Sequence, residues 1–142
     1  MQGLVFDINV QGHYAHFLHL LGALDLADIW LGYGFRVHTV PGLGYPTNVR
    51  DRVIWNRSQA DELVLVTENR TADDADSLQA TIADSLTPDS LPVLTIANKP
   101  RFENDRRYAL IVAQRFADLT VDISLGQYRG VGRLFLPPRT VV

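Results

Sequence analysis

The chain has 142 residues, 46% of them hydrophobic and 20% charged, as expected of one globular domain that buries about 68–70% of its unfolded surface. It has no cysteine, which excludes disulfides, thiolate nucleophiles and cysteine-rich zinc sites. The net charge of −3 is uneven: residues 1–96 carry 5 Arg against 12 Asp and Glu (−7), residues 97–142 carry 8 Lys and Arg against 4 acids (+4).

Gly3 to Ile8 is a short, continuous apolar run and reads as a buried strand ending in an acid, Asp7. From His13 the apolar residues Tyr14, Phe17, Leu18, Leu21 and Leu24 recur at helical spacing. A second short helix is predicted from Asp25, its cap, to Gly32–Gly34. Arg36 to Val40 alternates as a half-buried strand should, and Pro41 to Pro46 is a loop. A helix is predicted over Asn48 to Asp61 with Val49, Val53 and Ile54 toward the core. A strand follows over Leu63 to Thr67, then a helix over Ser77 to Leu86 after an acidic loop. Thr87 to Ser90 turns into a strand at Pro92 to Ala97. The longest helix is predicted from Asn104 to about Leu119, with Tyr108, Ile111, Val112 and Phe116 on one face. Gly130 to Leu136 is a terminal strand before Pro137 and Pro138.

Strands alternating with helices, each strand a near-continuous apolar run, predict an α/β domain spanning residues 1–142. Its architecture is a three-layer α/β/α sandwich with a central, mainly parallel sheet of four to five strands. In such a sheet ligands bind outside the carboxyl ends of the strands. That edge is expected to collect Asp7 and Asn9, Thr67 and Asn69, and Asn98. Mg²⁺ and Mn²⁺ take oxygen ligands from a few carboxylates plus water, so strand-end acids are the residue type such a site needs. Asp7 is the leading candidate, against its alternative as a turn former. Asp73, Asp74 and Asp76 precede a helix, where Asp76 to Gln79 has the outline of a capping box, so one of the three is expected to be structural. Position alone makes Asp51 a residue that reaches back to its helix cap. Of the 13 basic residues only Lys99 is a lysine, and arginine grips phosphate through two hydrogen bonds; genome composition explains the bias equally well.

His13, His16 and His19 recur every three residues on the first helix and share only a broad face. A polar or phosphate-facing side fits that spacing better than zinc, which favours i, i+4 pairs. Walker A, dinucleotide and nucleophile-elbow motifs are absent. No apolar stretch approaches the roughly 20 residues of a membrane span, and Asp7 falls where a secretory apolar region would have to be. A cytoplasmic location is therefore expected.

Val5-Phe6-Asp7-Ile8-Asn9-Val10 resembles the opening of PIN-like domains, a strand ending in Asp with Asn two residues on. Asp51-Arg52-Val53-Ile54-Trp55 is similar to the acid-led helix of the shorter bacterial members. Leu65-Val66-Thr67-Glu68-Asn69-Arg70 is similar to their hydrophobic-Thr-x-Asp/Asn segment. The resemblance implies an α/β/α sandwich that cleaves RNA with Mg²⁺ or Mn²⁺ held by clustered carboxylates, in many members a toxin held by an antitoxin. Carried over, Asp7 is the first ligand, Asn9 its support, and Asp51 the second acid. Asn69 is neutral where many members have Asp, so the remaining acid is expected from Asp73, Asp74 or Asp76. The expected catalytic set is Asp7, Asp51, Asp73 and Asp74, and the metal set Asp7, Asp51, Asp73 and Asp76. His13, Thr67, Asn69, Arg70, Arg106 and Arg107 are expected in support or on the phosphates. The partners implied are RNA, an antitoxin-like protein and a second copy in a homodimer. The alternative is a catalytically silent module that binds a protein or nucleic acid.

Overall fold

Runs such as Leu4-Val5-Phe6 and Leu63-Val64-Leu65-Val66 can hide every side chain only if the sheet is covered on both faces. The computed structural model, which describes residues 1–68 and 77–138, has that arrangement. Its strands are β1 (Gly3–Phe6), β2 (Arg36–Thr39), β3 (Leu63–Glu68), β4 (Val93–Ile96) and β5 (Arg133–Leu136). All pair in parallel, in the order β2-β1-β3-β4-β5. This is the strand order of flavodoxin-like doubly wound sheets, whose ligands lie at the β1/β3 switch point. Gly3 is obligatory in its register, because a Cβ there would stand 2.0 Å from the Arg36 carbonyl oxygen.

The helices are α1 (His13–Ala23), α2 (Ala27–Leu31), α3 (Asp51–Ala60), α4 (Leu78–Ser85), α5 (Lys99–Asn104) and α6 (Arg106–Ser124). Strand alternation divides the core. Leu4, Phe6, Val64, Val66, Leu94 and Ile96 meet α1 and α6 on one face. Val5, Leu63, Leu65 and Val93 meet Ile54 and Trp55 of α3 and Leu78 and Ile82 of α4 on the other. The result is the expected three-layer α/β/α sandwich.

The crossovers β1 to β2, β2 to β3 and β3 to β4 share one hand. The step from β4 to β5 runs in the same direction along the sheet as β3 to β4, yet α6 lies on the opposite face from α4, packed against α1. This last crossover therefore takes the opposite hand, against a preference obeyed in about 98% of parallel connections. What holds α6 there is aromatic: Phe116 stacks on Phe17 at 4.2 Å between ring centres and lies 5.4 Å from Trp30. Trp30 Nε1 donates to Thr120 Oγ1 at 2.8 Å. The consequence for function is that α5, which leads into α6, is carried to the start of α1.

Helix ends correct several local expectations. Asp25 does not cap α2. It sits at φ 57° just past α1, where its N–H donates to the Gly22 carbonyl (3.1 Å) and the Leu26 N–H to the Leu21 carbonyl (2.8 Å). That is a Schellman end, which Asp tolerates better than most side chains. α3 starts at Asp51, not Asn48, because residues 46–49 close a turn of their own. Val53 consequently faces out, 41% exposed, while Ile54 and Trp55 face in. The N-cap of α4 is Ser77, whose hydroxyl accepts from the Ala80 N–H at 3.1 Å, one residue later than the capping box had placed it. The Asn98 side chain caps α5, with Pro100 in its first turn, a helix start the sequence reading passed over. In α6 the buried stripe is Tyr108, Val112 and Phe116 with Ala109 and Ala113, and Ile111 is 50% exposed.

Asp105 caps α6 by accepting from the Tyr108 N–H at 3.2 Å and pairs with Arg101 at 3.3 Å. The backbone hydrogen bond first, and the Arg101 hydrogen bond second, hold its carboxyl below the usual carboxylate value. A lowered folded pKa contributes stability that is complete above the unfolded value and disappears as pH falls through the folded one. The native protein is therefore expected to melt higher than Asp105→Ala at neutral pH, with the gap narrowing as melts are repeated below about pH 4, down to what a neutral cap contributes. A gap that does not narrow by pH 2 would contradict this account.

Candidate functional site

Asp7 leaves β1 at the switch point, and its environment fixes it there. Its N–H donates to the Val66 carbonyl at 2.9 Å, extending the β1–β3 pairing by one residue. Oδ1 accepts from the Ile8 N–H at 2.8 Å and caps the 3-10 turn Ile8–Val10. Oδ2 accepts from the Thr67 hydroxyl at 3.2 Å, and Thr67 is fully buried. The turn-forming and functional interpretations of Asp7 are thus compatible, since capping orients the carboxylate toward the end of β3.

β3 runs one residue further than predicted and delivers Glu68 to the same edge. Glu68 Oε2 lies 3.9 Å from Lys99 Nζ, in the first residue of α5. Asp51, Thr67 and Glu68 line a cleft of about 30 Å³, closed by Ser77, Leu78, Gln79 and Arg133. That space accommodates one or two water-sized groups. Asp51 is half-buried at the first position of α3, where its charge complements the helix dipole. Thr67 is the common element, donating to Asp7 and lining one cleft with Asp51 and Glu68; Glu68 and its neighbour Lys99 are not among the residues expected from the sequence. The missed signal was length: an apolar run continuing to Thr67 places the next residue at the strand end.

Asn69, Arg70, Asp73, Asp74 and Asp76 lie outside the described residues. Among the described residues no group of three or more His, Asp or Glu side chains is arranged to hold a metal ion. Mg²⁺ and Mn²⁺ need only one or two protein carboxylates with waters completing the shell. Asp51 and Glu68, which line one cleft, and Asp7 on the far side of Thr67 are oxygen donors of that kind.

Asn9 is exposed on the turn after Asp7. His13 and His16 do not reach into the carboxylate cleft. Both pack on Phe102 of α5, at 5.6 and 4.9 Å between ring centres, and His13 Nε2 stands 3.8 Å from Glu103 Oε1. Burial pushes the His13 imidazole below its ordinary value, and Glu103 opposes that shift. His19 is exposed. Arg106 and Arg107 are exposed in the first turn of α6, where the helix dipole disfavours cations. α5 separates them in sequence from the strand edge.

Among the described residues no helix is long and apolar enough to cross a membrane. In comparison with known proteins, no family model, no curated protein and no solved structure matches the chain.

Proposed function

We propose that this protein is a Mg²⁺- or Mn²⁺-dependent phosphodiesterase acting on RNA, in the manner of the PIN-like domains its motifs resemble. The observation that carries the reading is Thr67 at the β1/β3 switch point, which donates to the Asp7 carboxylate and lines one cleft with Asp51 and Glu68. A bound cation at such a site supplies an activated water and neutralises charge on the phosphate. The protein's own part is positional. Thr67 and the Ile8 N–H hold the Asp7 carboxylate, and Asp51 and Glu68 add negative charge in the cleft that Thr67 shares with them. Lys99 offers a cation at the rim, where an approaching phosphate competes with Glu68 for its ammonium.

The test is Mn²⁺ titration of the purified protein, followed by incubation with single-stranded RNA with and without EDTA. Expected are cation binding that weakens at least tenfold in Glu68→Gln, and RNA cleavage that EDTA abolishes. A protein that binds no Mn²⁺ and cleaves no RNA sinks the proposal. The Lys99–Glu68 contact favours the second reading, a binding module with a neutralised carboxylate. RNA binding that is unaffected by Mn²⁺ and unaccompanied by cleavage selects it.

A further inference from the structure

Between α1 and α5 lies a cleft that the carboxylate chemistry does not use. It exists because the last crossover carries α5 to the start of α1. Its volume is about 410 Å³, and Asn9, Gly12, His13, His16 and Glu103 line it. Phe102, fully buried, braces both imidazoles: His13 stacks on it with 27° between the rings, and His16 meets it edge-on at 66°. The space is shallow and open to solvent, with room for a nucleobase lying against the imidazoles.

The lining chemistry narrows the occupant. His13, His16 and Glu103 do not form a metal-holding group. The one permanently charged lining residue is a carboxylate, which disfavours phosphate. Glu103 is 45% exposed at its side chain, and His13 Nε2, at 3.8 Å, is beyond hydrogen-bond distance from it. The cleft therefore offers an accessible acceptor pair beside imidazole rings and the Asn9 amide. A planar ring with N–H donors on its edge satisfies such a site by stacking and by edge hydrogen bonds. Guanine alone among the four RNA bases presents two adjacent donors, N1–H and the N2 amino group, to both oxygens of one carboxylate. Cytosine and adenine present an amino group beside an acceptor, and uracil a single N–H between two acceptors.

We propose that this cleft is a base subsite selective for guanine, placed so that Asn9 links it to Asp7 two residues away. The proposal rests on the preceding reading only in putting a phosphodiester at Asp7; base binding stands or falls separately.

The native protein is titrated with guanosine 5′-monophosphate and, in parallel, with the adenosine, cytidine and uridine monophosphates, while the His13 and His16 imidazole resonances are followed by NMR. The guanine nucleotide is expected to shift both and to bind roughly tenfold more tightly than the others, the discrimination one bidentate contact supplies. Glu103→Gln is expected to reduce it to the affinity of the adenine nucleotide while leaving the backbone amide spectrum intact. Equal affinities, shifts that avoid both histidines, or selectivity that survives Glu103→Gln would overturn the proposal. Selective binding by a protein that cleaves no RNA keeps the subsite and removes the phosphodiesterase. Cleavage by a protein that binds all four nucleotides alike does the reverse.

Discussion

Asp7→Asn is expected to lower Mn²⁺-dependent RNA cleavage by on the order of 100-fold or more while leaving the protein folded. The magnitude is a lower bound by comparison: altering a residue that merely orients a metal ligand already costs about 10–100-fold in affinity or activity. The fold survives because asparagine has the same shape. Its side-chain oxygen still accepts from the Ile8 N–H, and the Thr67 hydroxyl, free to rotate, can donate or accept at the other atom. The stability change is expected within about 1 kcal/mol, the net worth of one hydrogen bond. Cleavage assays and urea unfolding on the same preparation separate the two effects. Undiminished cleavage removes Asp7 from the mechanism, and collapse of the fold with loss of activity makes its role a structural one.

The layers and the strand edge were legible because they depend on local pattern. Continuous apolar runs declare strands buried on both faces, and parallel strands necessarily gather Asp7 and Thr67 at one edge. What escaped was set by tertiary arrangement. Glu68 became a site residue through one extra residue of pairing with β4, where Thr67 and Glu68 sit opposite Thr95 and Ile96. The α1–α5 cleft was illegible because the sequence does not encode crossover hand in any short pattern. The histidine spacing pointed to a polar face, but the aromatic partner, Phe102, lies 89 positions beyond His13. Val53 and Ile111 were misplaced for a simpler reason: at helical spacing a residue beside the buried stripe looks like a member of it. Only packing decides which side of the stripe is covered.

Phe116→Ala is expected to cost about 3–5 kcal/mol of stability, the usual range for truncating a fully buried phenylalanine. Phe116 is fully buried, with ring centres 4.2 Å from Phe17, 5.4 Å from Trp30 and 6.3 Å from Phe6. It thus joins α6 to α1, to α2 and to β1 at once. Typical domains have only about 5–15 kcal/mol in total, so roughly a fifth or more of the stability is at stake. Urea midpoints measure it, and a loss under about 1 kcal/mol would contradict the packing described. Phe116→Leu keeps most of the apolar volume and is expected to cost less, about 1–2 kcal/mol. The contrast matters beyond stability. The crossover from β4 to β5 runs against the preferred hand, so its placement depends on this aromatic burial and not on strand twist. Loosening α6 at Phe116 should therefore be felt first where α5 meets α1. In Phe116→Leu, still folded, the His13 and His16 resonances are expected to broaden or shift while those around Ile54 and Trp55, on the other face, hold their positions.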